Sequence, residues 1–386
     1  MQDGERRRRL IEELDRNDLA ALVCFAPEDV LLLSGYWPVM ASSLAILTRD
    51  DTLHVILPED ELELARATAD AQFIPYKPET LDQIRTVTDA LADPLMRLAA
   101  EVTLGAGRVG VLLDAMAQPQ SYQSGNHFHS SIVPLLRKAF PEVALTSADA
   151  LLKRMKSIKT PVEIGQMRHL CLLAETAFLV AQQAITVGRR EDEIAAEINH
   201  AYATVAHDGF ERGHGYFFCM SGPNSAKAAG AFARTRQRVV GPGDLVMIHA
   251  NTVGDGFWTD ITRTYTSGVD NDLEQRMRGA IAEARSAALA AIRPGAQACA
   301  VDAAARDVLA AHGFGKEFKH AVGHGVGFAA ADPRALPRLH PKSPDVLEAG
   351  MTFNIEPAIY YEGKGGMRHC DVVACTQDGA EVLTNW

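Results

Sequence analysis

The segment VMIHANTVGDGFWTDITRTY, residues 246–265, has two short apolar runs on either side of a Gly-Asp-Gly turn. Runs rich in Val, Ile, Phe and Tyr around such a turn predict a β-hairpin. If Gly254 and Asp255 form a two-residue loop, His249 lies opposite Asp260 on the same side of the sheet. The spacing therefore predicts a pair of polar side chains on one hairpin.

A second hairpin is predicted near the C-terminus, where MTFNIEPAIYY and GMRHCDVVAC flank the turn EGKG. A three-residue loop centred on Gly363 would place Glu356 opposite Cys370. The stretch GHGVG at 323–327 adds His324. Together these segments predict one polar cluster, in which we expect the chemistry: His249, Asp260, His324, Glu356 and Cys370.

Three motifs, TDITRTY, the HxxxHG stretch from His320 to Gly325, and NIEP at 354–357, resemble those of the pita-bread family. That family holds methionine aminopeptidase, aminopeptidase P, prolidase and the metal-free creatinase. The resemblance spans about residues 160–380, starting at IKTPVEIGQMR and SGPNSA. It implies an α/β (α+β) protein, with a creatinase-like N-terminal α/β domain followed by a pita-bread catalytic domain built from two pseudo-symmetric αβ halves.

The family's usual site holds two metal ions with two Asp eleven residues apart, a His in GHG, a Glu in xxEP and a Glu in the last hairpin. In this sequence Asp260, His324 and Glu356 match that pattern, whereas His249 stands for the first Asp and Cys370 for the last Glu. These residues supply at most three negative charges, against the four that two divalent cations need. The resemblance therefore disfavours a two-metal site.

Two readings of the cluster stay open. All five side chains are ligand types that zinc or iron accepts, so they could hold a single divalent ion. Alternatively no metal binds, as in creatinase, and His324 or His249 exchanges protons with the substrate while Glu356 orients it. In both readings Glu356 and His324 are the expected catalytic residues.

Other residues are candidates for contacting substrate. Arg263 and Arg368 could clamp a carboxylate, or could bond neighbouring backbone instead. The segment GFERGHGYFF at 209–218 is expected to be a substrate-binding loop carrying Arg212, His214 and Tyr216, or else a solvated loop. Peptidases of the family usually have a His after the SGPN turn and another after GHGxG. Here those stretches read SAKAAGAFAR and FAAADPR, which makes ordinary Xaa-Pro cleavage doubtful.

Length and composition predict two domains, 1–152 and 153–386, because 386 residues exceed one ordinary core. Residues 1–152 alternate helical stretches with short apolar strands, and a long helix begins near Pro161. A faint repeat, in which 184–198 echoes 291–309, is what two similar αβ halves would produce.

The net charge of −11 argues against nucleic acid or an anionic membrane as a partner, and no run approaches a membrane helix in length. Six cysteines without a CxxC pair suit a reducing cytoplasm. We therefore expect a cytoplasmic protein with a small-molecule substrate. Homodimer formation is expected from the resemblance alone.

The function predicted from the sequence is hydrolysis of a C–N bond in a small amide, dipeptide-like or guanidino compound, with at most one metal ion. Two alternatives are a metal-free or iron-dependent lyase acting on a small zwitterion, and a catalytically inactive relative that binds a partner. Retention of Asp260, His324 and Glu356 favours an enzyme.

Overall fold

The computed structural model describes residues 3–39, 42–113, 129–230, 233–332 and 335–386. The chain divides into two compact units, Met1–Met155 and Lys156–Trp386. This division falls shortly after the boundary between residues 152 and 153 that the sequence predicts. No helix in the described ranges is both long enough and apolar enough to cross a membrane.

The first unit is a mixed sheet with helices, as its alternating pattern predicts. Its strands are hydrogen-bonded in the order β4-β3-β2-β1-β5-β6, and strands β1 to β3 are buried along their whole length. The elements are α1 (Gly4–Arg16), β1 (Ala21–Cys24), α2 (Pro27–Ser34), β2 (Leu44–Thr48), β3 (Leu53–Pro58), α3 (Leu62–Thr68), β4 (Gln72–Tyr76), α4 (Val87–Glu101), β5 (Arg108–Val111), α5 (His129–Ala139), β6 (Ala144–Ser147) and α6 (Asp149–Ser157).

The first half of the second unit packs two helices on one face of an antiparallel sheet. Helix α7 (Pro161–Ala184) begins where predicted: Pro161 takes the first turn, and Thr160 and Glu163 form a capping box. On the sheet, Ile248 and Ala250 point towards the helices and belong to the same apolar core as the buried side chains of helix α7. The remaining elements are α8 (Glu191–Ala203), β7 (Gly213–Ser221), β8 (Leu245–Gly254), β9 (Phe257–Trp258) and β10 (Ile261–Thr266).

The second half repeats this arrangement with its own apolar core. Residues 185–190 connect the first helix pair and residues 292–297 connect the second, so the faint repeat in the sequence corresponds to a repeated helix pair. Its elements are α9 (Asp272–Ala291), α10 (Ala298–Ala311), β11 (Gly323–His324), β12 (Arg338–Leu339), β13 (Thr352–Ile355), β14 (Ala358–Tyr361), β15 (Gly365–Arg368), β16 (Asp371–Thr376) and β17 (Gly379–Val382).

Asn271 caps helix α9. Its side chain accepts hydrogen bonds from the backbone N–H groups of Leu273 and Glu274, and the Glu274 carboxylate accepts one from the Asn271 N–H. Replacing Asn271 by Ala is expected to lower the free energy of unfolding by about 1 kcal/mol, measured by urea denaturation followed by circular dichroism. Gln297→Ala is the matched control, since Gln297 at the start of α10 makes no side-chain capping bond. Equal losses in both variants would contradict the capping assignment.

Candidate functional site

The first hairpin forms, but its turn lies one residue later than predicted. Asp255 and Gly256 both have positive φ, 46° and 88°, as a type I′ turn requires. Strands β8 and β10 therefore pair with His249 opposite Thr262, and the predicted pairing of His249 with Asp260 is wrong. The physical reason is the preference of Asp-Gly over Gly-Asp for this turn.

The corrected register still leaves His249 and Asp260 on the same face. Moving the turn by one residue shifts the pairing by two positions, which preserves the side on which each side chain points. His249 Nδ1 lies 3.6 Å from Asp260 Oδ1, and both side chains are buried. The Phe218 ring, on the neighbouring strand β7, stacks on the His249 ring at 6.2 Å.

The second hairpin has the predicted register. Ile355 pairs with Asp371, and Ala358 pairs with Arg368, so the same alignment sets Glu356 opposite Cys370. Reciprocal backbone hydrogen bonds between Thr262 and Cys370, at 3.2 and 3.0 Å, join the two hairpins edge to edge. A continuous row of neighbours thus runs from His249 through Thr262 and Cys370 to Glu356.

His324 reaches this row from the short strand β11. Its Nε2 lies 3.6 Å from Asp260 Oδ2 and 3.8 Å from Glu356 Oε1. Asn354 fixes the ring, because its Oδ1 accepts from the His324 backbone N–H at 2.7 Å and its Nδ2 lies 3.2 Å from Nε2. His324 Nδ1 is 3.1 Å from the Gly325 carbonyl, to which it donates. Nε2 therefore accepts a hydrogen bond from the Asn354 amide. A proton or a metal ion that bound Nε2 in place of this amide would be stabilised by the two carboxylates beside it.

Cys370 points into the cluster and is a neutral thiol there. Its Sγ donates to the Asp260 carbonyl at 3.2 Å and lies 3.8 Å from Asp260 Oδ1. Burial, together with the carboxylates of Asp260 and Glu356, raises the pKa of Cys370 well above its ordinary value. Asn354 Nδ2 also donates to Sγ, at 3.5 Å.

Arg368 lies inside the cluster as a buried cation. Its guanidinium donates to Thr262 Oγ1 at 3.0 Å and to His249 Nδ1 at 2.9 Å, and its Nη1 is 3.8 Å from Glu356 Oε2. Burial, opposed by Asp260 and assisted by Arg368, lowers the pKa of His249 to about 4. His249 is therefore a neutral imidazole in this site.

His320 and Tyr360 also line the site, although the sequence did not single them out as site residues. His320 Nδ1 is 2.7 Å from the Ala321 carbonyl and 3.9 Å from Glu356 Oε1, and its Nε2 is 2.9 Å from the Tyr360 hydroxyl. Burial lowers the pKa of His320 and raises that of Tyr360 to about 12. The place of His320 in the HxxxHG motif was the signal that could have identified it.

Arg263 turns away from the cluster and has structural contacts. Its guanidinium donates to the Cys370 carbonyl at 2.7 Å, to Asp371 Oδ1 at 2.9 Å and to the Thr384 carbonyl at 3.1 Å, and it covers the Trp386 ring at 4.8 Å. These contacts favour the backbone-bonding alternative for Arg263 over a substrate clamp.

The expected substrate loop at 209–218 is in fact strand β7 from Gly213 onwards. Pairing with β8 makes these residues a strand. Because side chains alternate between the two faces of a strand, His214 and Tyr216 lie on the face that carries Phe218 and His249. The Tyr216 ring stacks parallel to Trp258 at 6.2 Å, and His214 Nε2 is 3.1 Å from the Tyr216 hydroxyl. Arg212 precedes the strand, and its backbone N–H is bonded by Asp255 Oδ1 at 2.9 Å.

The side chains of this cluster carry too little negative charge to bind two metal ions. Two carboxylates, a neutral thiol and the positive charge of Arg368 leave too little negative charge for two divalent ions. Ligands of one tetrahedral ion lie about 3.4 Å apart, close to the two distances from His324. As the side chains stand, no group of three or more His, Cys, Asp and Glu among the described residues is placed to hold an ion. Asp260, His324 and Glu356 are the residues that would close around a single one.

Comparisons with known proteins match both units. Residues 165–377 match the family model described as Metallopeptidase family M24, and residues 6–158 match the Creatinase/Prolidase N-terminal domain. A Xaa-Pro dipeptidase of Pyrococcus furiosus is 30% identical over 380 residues, which cover 98% of this chain and 97% of that protein.

Solved structures show the same fold. The prolidase from Pyrococcus horikoshii OT3 has a TM-score of 0.78 at 24% identity, covering 99% of this chain and 98% of its own. The X-Pro aminopeptidase from Thermotoga maritima MSB8 has a TM-score of 0.80 at 22% identity, with coverages of 99% and 98%. The predicted fold, a creatinase-like α/β domain followed by a pita-bread domain, is confirmed.

Proposed function

Because this chain belongs to metallopeptidase family M24, a family of hydrolases, we propose that it cleaves a C–N bond in a small amide, dipeptide-like or guanidino substrate. The family description implies a divalent metal ion, and we propose that at most one is used. The observation that carries the proposal is the convergence of Asp260 and Glu356 on His324 Nε2, at 3.6 and 3.8 Å.

The roles of the residues follow from their contacts. Glu356 is 8% exposed and borders both His320 and His324, so its carboxylate can take a proton from water and pass it to a leaving nitrogen. Asn354 holds the His324 ring so that Nε2 faces the same space. An ion held by Asp260, His324 and Glu356 would activate one water or polarise one carbonyl.

The aromatic side chains beside the cluster favour a small substrate that has an apolar or planar part. Tyr216, Trp258 and Phe218 lie on the face of the sheet that also presents His249. The curated relative is named a Xaa-Pro dipeptidase, which supports a dipeptide-like substrate. The stretches SAKAAGAFAR and FAAADPR lack the two usual histidines, so we do not propose ordinary Xaa-Pro cleavage as the main activity.

A second candidate is metal-free chemistry, either creatinase-like hydrolysis or elimination from a small zwitterion. The observation that favours it is the hydrogen bond from Arg368 to His249 Nδ1, which places a fixed positive charge beside Glu356. In this reading His324 exchanges protons with the substrate directly.

Metal content separates the two candidates. We expect wild-type protein purified without added metal, then incubated with zinc, iron or manganese and desalted, to retain about one equivalent by inductively coupled plasma mass spectrometry. His324→Ala should lose it. His312→Ala is the matched control, since His312 pairs with Glu283 on the exposed surface. Wild type without metal that still turns over substrate would support the metal-free candidate.

Turnover is then measured on three panels: Xaa-Pro and other dipeptides, small amides, and guanidino compounds, with the released amine detected by mass spectrometry. Release from at least one panel, lost in His324→Ala, is the expected result. A chain that binds panel members without releasing any product would instead be an inactive binding relative, and the proposed hydrolase activity would be wrong.

A further inference from the structure

Arg368 is the centre of the hydrogen-bond network behind the catalytic carboxylates. Its side chain is 5% exposed. Its Nε donates to Thr262 Oγ1 at 3.0 Å, its Nη1 to the Tyr360 hydroxyl at 3.3 Å and its Nη2 to His249 Nδ1 at 2.9 Å. Three different elements thus hold one buried guanidinium in a fixed orientation, 3.8 Å from the Glu356 carboxylate.

The direction of these bonds determines the state of His249. A guanidinium can only donate, so Nδ1 of His249 must accept and cannot carry hydrogen. The neutral ring then carries its proton on Nε2. An imidazole binds a metal ion through an unprotonated nitrogen. In His249 the unprotonated nitrogen accepts from the fixed cation Arg368, which would also repel a metal ion there, and Thr262 Oγ1 lies 3.0 Å from the same atom. The group that donates to His324 Nε2 is instead the neutral amide of Asn354, which an ion can displace without charge repulsion.

Charge counting leads to the same conclusion. Asp260 and Glu356 carry two negative charges, or three if a bound ion were to ionise Cys370. Arg368 and one divalent ion already supply three positive charges. A second divalent ion would leave a large positive excess in a buried site, which is costly.

We propose that His249 is a positioning residue that orients the Arg368 guanidinium against Glu356, that it is not a metal ligand, and that this pair limits the site to a single ion. The inference rests on the proposed function, of which it deepens the metal assignment. It removes His249 from the ligand set that the sequence suggested and leaves Asp260, His324 and Glu356.

The test combines metal stoichiometry with the protonation state of the ring. Wild type, His249→Ala, His249→Gln and His324→Ala are incubated with zinc or manganese, desalted and analysed for bound metal. We expect both His249 variants to retain the wild-type amount and His324→Ala to lose most of it. Nitrogen chemical shifts of protein labelled with ¹⁵N-histidine should show His249 with hydrogen on Nε2, unchanged when zinc is added. Arg368→Gln should perturb those shifts.

A gain-of-binding variant tests the limit on the ion count. His249→Asp combined with Cys370→Glu supplies the two carboxylates that the family pattern has, and we expect bound metal to rise from about one to about two equivalents. Circular dichroism spectra confirm that each variant is folded.

The outcomes distinguish the inference from the proposed function. Loss of metal in His249→Ala equal to that in His324→Ala, or movement of the His249 nitrogen signals on zinc addition, would overturn it, as would a folded double variant that gains no metal. If wild type binds no metal at all, the metal part of the proposed function fails. The nitrogen shifts and the double variant still decide the role of His249.

Discussion

Replacing Glu356 by Gln is expected to lower kcat/KM by about 10²- to 10⁴-fold, the usual contribution of a positioned general acid or base. The amide keeps the size of the side chain but cannot take up a proton. Glu356 lies 3.8 Å from His324 Nε2 and 3.8 Å from Arg368 Nη1. The substitution therefore also removes the negative charge beside His324 and Arg368. Steady-state kinetics on the substrate found in the panels measures the effect.

Glu362→Gln is the matched control for this substitution. Glu362 is exposed in the turn between β14 and β15, six residues further along the chain, so its replacement should leave kcat/KM unchanged. A folded Glu356→Gln variant with near wild-type turnover would exclude Glu356 as the proton-transfer group. Turnover would then have to be assigned to His324 or His320.

Asp371→Asn is expected to destabilise the protein by about 3–5 kcal/mol, as breaking a buried ion pair does. Asp371 is fully buried and accepts from Arg263 at 2.9 Å and from Thr384 Oγ1 at 2.8 Å, and Arg285 pairs with its other oxygen. The neutral amide would leave these cations without their partner. Urea denaturation measures the change, and Asp378→Asn, at an exposed turn, is the control. A loss below about 1 kcal/mol would contradict this account.

The same carboxylate predicts a pH dependence of stability. Burial opposes ionisation of Asp371, but the His369 ring, whose Nε2 lies 3.3 Å from Oδ2, and the charge of Arg263 outweigh it and hold the pKa of Asp371 well below its ordinary value. A depressed folded-state pKa stabilises the protein above the unfolded-state pKa of about 3.9, and this stabilisation is lost as pH falls below it. Wild type should therefore lose stability on acidification more steeply than Asp371→Asn.

The two hairpins show how far local sequence rules reach. EGKG offers one obvious turn centred on Gly363, and the predicted alignment of Glu356 with Cys370 is correct. Gly254-Asp255-Gly256 offers two alternative turns, and the one that forms is Asp255-Gly256 rather than the predicted Gly254-Asp255. Its consequence was limited, because a shift of two positions keeps His249 on the same face as Asp260. That these residues lie together was therefore predictable, as was the pairing of Glu356 with Cys370, but the cross-strand partner of His249 was not.

What the sequence could not show is how polar groups from distant segments share their hydrogen bonds. Asn354 lies on β13, two positions before Glu356, which directly follows that strand, so its proximity to the site could have been expected. The Asn354 amide contacts both His324 and Cys370, and Arg368 donates a hydrogen bond to His249 Nδ1. These contacts depend on side-chain conformations that are set by tertiary packing. The glycines at 209–218 favour a loop, whereas pairing with β8 makes the stretch from Gly213 onwards a strand.

The bridge between Thr262 and Cys370 joins the two halves of the second unit. Each half contributes one carboxylate to the site, Asp260 from the first half and Glu356 from the second. Any molecule that contacts both carboxylates therefore cross-links the halves. Its binding raises the free energy of unfolding of this unit by about 2.7 kcal/mol at a concentration one hundred times its Kd, and so raises the melting temperature. A thermal-shift screen of small amides, dipeptides and guanidino compounds can thus find ligands of this site before any turnover assay exists.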